Sequence, residues 1–307
     1  MNYKLLRSIL VVPANVPKFV ERSASRNADA IVLDLEDSVP QDQKKTAREM
    51  LAGSISSAGR GGATLMVRVN NDTELLEPDI ETAVCERLDA LFIPKVESPE
   101  QLVRIDRLTT EIEAAKGLET RKIRFSLHIE SPLGLLNIVD IAKSTPRIES
   151  MSLGVDDYCV AMGVNLTADA AVLFGPMSQL IITAKAFGII PIGVMGSVAE
   201  FRDLKIFEES AQRARDLGSE GSICVHPDQV NVLNRVFSPS EESVAHSRRV
   251  IEVFEEAVSR GRASTSLDGR MVDTPIYKQA LAAIKKLEHI KRFDNRKQEQ
   301  AIISKGR

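Results

Sequence analysis

Aromatic side chains make up only 4% of this 307-residue chain, and cysteine, histidine and long apolar runs are scarce as well. The three cysteines, Cys85, Cys159 and Cys224, lie far apart without metal-type spacing, and an odd number does not make a disulfide framework. They read as buried structural thiols in a reducing, cytoplasmic compartment. No apolar run reaches the roughly 18 residues of a membrane span, and the N-terminus lacks a secretory cleavage pattern. An excess of charge is missing too: 43 acidic against 40 basic residues leave −3, which gives no general attraction for nucleic acid or an anionic membrane. No two of the four histidines, His128, His226, His246 and His289, have the close spacing of a metal-binding pair.

What the chain does have is 43% hydrophobic residues, enough for one large core or two modest ones. They are laid out in a repeat. Short apolar runs at 8–13, 30–35, 64–69, 90–94, 124–129, 150–155, 189–194 and 222–225 alternate with stretches of helical period at 16–26, 41–56, 99–115, 135–144, 168–186 and 201–217. Pro191 interrupts the seventh run. Each unit averages roughly 30 residues, and eight such units suit a (β/α)8 TIM barrel of about 250 residues. The runs are largely apolar rather than alternating, as expected where both faces of a parallel sheet are covered. A doubly wound sheet would want a glycine-rich turn after the first strand, whereas the sequence there is Val12-Pro13-Ala14-Asn15-Val16-Pro17.

After residue 228 the alternation stops. Segments 229–237, 239–260 and 277–290 read as helices, with a loop at 264–275 and a basic tail that frays at its end. The expected division is a barrel catalytic domain at 1–237 and a C-terminal helical extension at 238–307.

Polar residues gather at the carboxyl ends of the runs, where a barrel places its chemistry. Three carboxylates in Asp34-Leu35-Glu36-Asp37 repel one another unless a cation or a basic side chain such as Lys44 or Arg48 is near. The alternative is an acidic cluster at the N-terminus of the next helix. Arg68 is placed either to grip a carboxylate with its planar fork or to pair with that acidic cluster. Lys95 reads as a Schiff-base nucleophile or, preferably, as the partner of Glu36 or Glu130. His128 reads as a satisfied structural histidine, His226 as either structural or a hydrogen-bonding group at the mouth, and His246 and His289 as surface residues. The strongest pattern is Leu127-His128-Ile129-Glu130-Ser131-Pro132-Leu133-Gly134, with Asp157 of Leu153-Gly154-Val155-Asp156-Asp157 standing 27 residues after Glu130. Carboxylates at the ends of adjacent strands can share one Mg²⁺ whose octahedral shell is completed by water and substrate oxygens. Asp156 competes with Asp157 for the second place, and two helix-capping acids are the alternative.

With Arg7-Ser8 and Pro13, Val67-Arg68-Val69-Asn70, Pro94-Lys95, His226-Pro227-Asp228-Gln229 and Gly269-Arg270-Met271-Val272-Asp273, these motifs, taken in order, resemble the citrate lyase β-chain and malyl-CoA lyase family of CoA-thioester carbon–carbon lyases. The resemblance runs from Arg7 to Ala283. It implies a (β/α)8 barrel with a C-terminal helical extension, assembled as a homotrimer or hexamer. It also implies that Arg68 binds the substrate carboxylate, that Glu130 and Asp157 ligate Mg²⁺, and that Glu36, Asp37 and Lys95 stand behind them. Asp273 would be the acid/base residue reaching a neighbouring subunit's site.

The implied reaction cleaves or forms the carbon–carbon bond of a 3-hydroxyacyl-CoA such as malyl-CoA or citramalyl-CoA, giving a 2-keto acid and an acyl-CoA. Related readings are a thioesterase of the same fold and a citrate lyase β-chain acting on an acyl-carrier-protein thioester within a complex. One departure concerns the segment after the seventh strand, Ile192-Gly193-Val194-Met195-Gly196-Ser197-Val198-Ala199-Glu200, where many relatives carry acidic residues.

Overall fold

The computed structural model describes residues 4–305, which form two compact units: residues 6–237 with 300–305, and residues 4–5 with 238–299. In the larger unit eight parallel strands, β1 (Ser8–Pro13), β2 (Ala30–Asp34), β3 (Thr64–Arg68), β4 (Ala90–Ile93), β5 (Arg124–Ile129), β6 (Ile148–Leu153), β7 (Ile190–Ile192) and β8 (Ser222–Cys224), are ordered β7-β6-β5-β4-β3-β2-β1-β8. No strand ladder joins β7 to β8. Instead Gly193 N donates to Gly221 O at 2.8 Å and Glu220 N to Pro191 O at 2.9 Å, which brings the sheet's two edges together. Proline has no N–H to give a ladder, which accounts for the shortness of β7 around Pro191. The fold is the expected (β/α)8 barrel.

Register and burial separate the two faces of each strand. Leu10, Val12, Ile31, Leu33, Leu65, Val67, Leu91, Ile93, Phe125, Leu127, Ile129, Met151 and Leu153 pack outward with helix residues such as Leu51, Ile80, Leu102, Ile138 and Leu180. The alternate residues Ile9, Ala30, Val32, Met66, Ala90, Phe92 and Ile192 form a separate apolar cluster inside the barrel. On β5 and β6 the inward positions are polar instead: Ser150 Oγ donates to Ser126 Oγ at 2.7 Å, and His128 Nδ1 meets Ser152 Oγ. Packed polar groups of this kind tolerate burial because each has a partner.

Local signals explain where helices start. Ser98 caps Pro99–Ala115 by accepting from Gln101 N, and Ser131 caps Pro132–Leu136 by accepting from Gly134 N, each with proline at the first helical position. The expected helix over 135–144 is two pieces, Pro132–Leu136 and Ile138–Lys143, parted at Asn137. Two further helices are Thr73–Ala83, whose period Pro78 obscures, and Val155–Met162, which carries Asp156 and Asp157 in its first turn.

In the smaller unit, the segment expected as a loop is a β-hairpin, β9 (Thr265–Leu267) and β10 (Arg270–Val272), turning through Asp268 and Gly269 at φ 51° and 77°. Two left-handed residues in a two-residue turn match the right-handed twist of the strands. Leu267 and Val272 pack with Val250, Phe254 and Ala280 of the helices Glu241–Ser259 and Thr274–Lys305. The last helix runs well past the expected end at residue 290. Cys159 and Cys224 are buried and Cys85 is half-buried, so two of the three thiols sit as expected. No helix among the described residues is long and apolar enough to cross a membrane.

Candidate active site at the carboxyl ends of the strands

The barrel register sets the site. Asp34 pairs with Arg68 across β2 and β3, and Ile129 with Leu153 across β5 and β6, so Glu130 and Gly154 follow side by side. Gly154 has ordinary negative φ, and what matters there is space. A Cβ at that position would lie 2.6 Å from Glu130 Cγ and 2.8 Å from His128 Nε2. Only a residue without a side chain lets the Glu130 carboxylate sit over the sixth strand.

Glu130 is 5% exposed, and its Oε1 accepts the backbone N–H of Lys95 at 2.9 Å. Burial, and after it the hydrogen-bonding Asp157 carboxyl, push its pKa up to about 8. Asp157 is exposed at the start of Val155–Met162, and its neighbour Asp156 is engaged elsewhere, accepting from Ser197 Oγ at 2.9 Å. The two acids that sequence left in competition therefore take different partners. A buried carboxyl held against a second one is relieved either by a proton or by a cation, and oxygen ligands suit a hard divalent ion. Among the described residues no three His, Cys, Asp or Glu side chains converge as a metal-ligating group.

The acidic cluster of the second strand is resolved by Arg68 and Lys95. Arg68 grips Asp34 with two bonds of 2.6 Å, from Nε and Nη2, and turns Nη1 toward Glu36 Oε2 at 3.2 Å and Asp37 Oδ2 at 3.7 Å. Burial opposes the charge on Asp34, yet Arg68, the Ser38 hydroxyl and the Glu36 N–H together hold it below the ordinary carboxylate range. Glu36 is raised, first by burial and despite the Arg68 charge and the Lys95 bond. Lys95 Nζ reaches Glu36 Oε1 at 2.5 Å and Asp37 Oδ1 at 3.2 Å. These carboxylates keep the ammonium charged above its usual range despite desolvation, the opposite of what a Schiff-base lysine needs. Of the basic residues expected to serve this cluster from the next helix, Lys44 lies near enough to feel the charges of Asp34, Glu36 and Asp37, whereas Arg48 is engaged elsewhere. Lys44 Nζ donates to the carbonyls of Leu35 and Glu36, and Arg48 pairs with Asp79 at 2.7 Å.

His128 is buried against Phe92, and desolvation, reinforced by the Arg68 charge, lowers its pKa to about 3. Ser152 Oγ lies within hydrogen-bond reach of both Leu127 O, at 3.0 Å, and His128 Nδ1. His226 caps Pro227–Val236 by accepting from Asp228 N at 3.3 Å, and its ring stacks on Phe201 at 5.2 Å. Asp273 stands in the smaller unit, where its Oδ1 accepts from Ile276 N at 3.2 Å at the start of the last helix. Among the residues that sequence did not single out are Asn71 and Gln101, whose side chains tie the strand-end loops together. Loop amides and hydroxyls have no periodicity to betray them.

Comparison with known proteins fits this arrangement. Residues 7–227 match the model of the HpcH/HpaI aldolase/citrate lyase family. The L-malyl-CoA/beta-methylmalyl-CoA lyase of Cereibacter sphaeroides (strain ATCC 17025 / ATH 2.4.3) is 32% identical, over 92% of this chain and 95% of its own. The citrate lyase subunit beta of Leuconostoc mesenteroides subsp. cremoris is 30% identical over 92% and 94%. The (3S)-malyl-CoA thioesterase of Cereibacter sphaeroides (strain KD131 / KCTC 12085) is 30% identical over 94% and 96%. The crystal structure of CitE from Mycobacterium tuberculosis, in complex with magnesium, acetoacetate and coenzyme A, shares the fold at a TM-score of 0.71 and 24% identity, covering 92% of this chain and 97% of that one. The chain belongs to the HpcH/HpaI aldolase/citrate lyase family.

Proposed function

We propose that this chain is a Mg²⁺-dependent CoA-ester lyase that cleaves, or forms, the carbon–carbon bond of a 3-hydroxyacyl-CoA such as malyl-CoA or citramalyl-CoA, yielding a 2-keto acid and an acyl-CoA. The observation that carries this reading is the buried Glu130 carboxylate set against Asp157 at the barrel mouth. Two protein carboxylates with room for other oxygens are a Mg²⁺ donor set, and relatives at 30% identity or more are named CoA-ester and citrate lyases. When bound, the ion supplies Lewis acidity to the carboxylate and carbonyl oxygens of a keto acid.

The chain's own residues do the rest. Glu130 and Asp157 would hold the ion. Arg68, anchored on Asp34 through Nε and Nη2, would bind the substrate carboxylate through Nη1, which it shares with Glu36 and Asp37, and those two, neutralised by Lys95 and Arg68, would support the metal site. Breaking the carbon–carbon bond turns the hydroxyl into the keto acid's carbonyl with loss of its O–H proton and leaves the bond's electron pair on the acyl thioester as an enolate, so one proton leaves oxygen and one is delivered to carbon. Asp273 is assigned that delivery, and proton removal in the condensation direction, at a neighbouring subunit's site in a cytoplasmic homotrimer or hexamer.

Incubating the oligomeric protein with Mg²⁺ and a panel of malyl-CoA-like and citramalyl-CoA-like thioesters tests the proposal, with release of keto acid and acyl-CoA as the expected result. No cleavage and no condensation across the panel overturns it. The similarity to a malyl-CoA thioesterase favours a second reading, hydrolysis, which release of free CoA without keto acid selects.

A further inference from the structure

We propose that Asn71 is a positioning residue of this site: by tying down the Pro94–Lys95 backbone it holds Lys95 in the left-handed conformation from which one residue serves both Glu130 and the Glu36–Asp37 pair. Lys95 has φ 53°, a conformation disfavoured for most residues with a Cβ. Glycine or asparagine would adopt it with little strain, but neither carries an ammonium group. In this geometry the Lys95 N–H points at Glu130 Oε1, 2.9 Å away, while Nζ bridges Glu36 and Asp37. The strained backbone and the charged side chain are thus used together, which is the circumstance in which strain persists at a functional site.

The restraint traces to a relay of amides. Gln101 Oε1 accepts the Glu97 backbone N–H at 3.1 Å, which turns Gln101 Nε2 toward Asn71 Oδ1 at 2.8 Å. With its oxygen so engaged, Asn71 must present Nδ2 to the carbonyls of Pro94 at 3.2 Å and Lys95 at 3.0 Å. The other side of the turn is fastened to the fifth strand, because Val96 N donates to His128 O at 3.1 Å. Gly134 lies so close that a Cβ there would meet Val96 O at 2.4 Å. Asn71 touches neither carboxylate, and its effect passes through the peptide it holds.

The metal readout of this inference rests on the reading of Glu130 as a ligand; the exchange readout does not. In full-length Asn71→Ala, amide hydrogen exchange at Lys95 is expected to quicken by an order of magnitude or more, and Mn²⁺ affinity, measured by calorimetry, to fall about tenfold. Asn71→Asp keeps the oxygen for Gln101 but loses the donor, so it should behave like the alanine variant. Adding Lys95→Gly to Asn71→Ala should restore amide protection, because glycine needs no restraint at this φ. Unchanged Lys95 exchange in folded Asn71→Ala overturns the inference, and so does faster exchange with Mn²⁺ affinity intact. If the unmodified protein binds no Mn²⁺, the metal reading falls and exchange at Lys95 alone decides whether Asn71 holds the turn.

Discussion

At the scale of single residues, the site depends as much on what is missing as on what is present. Gly154→Ala introduces one methyl group into the space of Glu130 and His128, so Mn²⁺ affinity should drop by about 10- to 100-fold while circular dichroism stays unchanged. Unaltered affinity would show that the carboxylate relaxes around the methyl. Glu130→Gln and Asp157→Asn each remove half of the donor pair and should weaken Mn²⁺ binding at least as much, whereas Asp273→Asn should bind metal normally and lose turnover. Calorimetry beside a keto-acid assay separates these outcomes. From spacing, the partner of Glu130 could be read only as Asp156 or Asp157, and it was the family resemblance that pointed to Asp157. The engagement of Asp156 by Ser197, 41 residues further along the chain, has no marker in the sequence.

At the scale of elements, the end of the barrel where the strands begin is tied by a buried arginine. Arg147, just before β6, is 0% exposed and donates to Glu113 at 2.7 and 2.9 Å, to Asp106 at 2.5 Å, to Thr110 and to Ile123 O, linking Pro99–Ala115 to the strands. Arg147→Met leaves the buried Glu113 without its cation and should cost about 3–5 kcal/mol in urea unfolding. Burial alone would raise Asp106 and Glu113, but the bonds from Arg147 hold both below the ordinary range. As pH falls, the unfolded chain therefore takes up protons at these groups first. The stabilisation is complete above their unfolded values of about 4 and disappears as pH drops through the lower folded ones. Stability measured between pH 7 and 3 should fall more steeply in the unmodified protein than in Arg147→Met. Strand positions were legible because the apolar runs are continuous. The hairpin at Asp268-Gly269 replaces the loop expected there, although that dipeptide between short strands is itself a turn signal.

At the scale of the whole molecule, the proposed role of Asp273 makes a prediction about mixtures. If Asp273 serves a neighbouring subunit, co-refolding inactive Glu130→Gln with inactive Asp273→Asn should restore about a quarter of wild-type activity, since one site in four on random mixing combines an intact Glu130 with a neighbour's intact Asp273. No chain in such a mixture carries both residues, so an Asp273 acting within its own chain would restore nothing. Analytical ultracentrifugation of the unmodified protein should show a trimer or a multiple of it.

The sequence by itself determined the barrel, because alternating covered strands and amphipathic helices reach a closed core in few ways, and it determined which strands carry acids at their ends. Only the tertiary structure decided how those acids are held. Arg68 is locked on Asp34, Lys95 is turned left-handed beneath Glu130, and Gly154 is empty where a side chain would stand. These are contacts between residues tens of positions apart, set by the register of neighbouring strands and by the space left between them, and neither quantity exists until the sheet has closed.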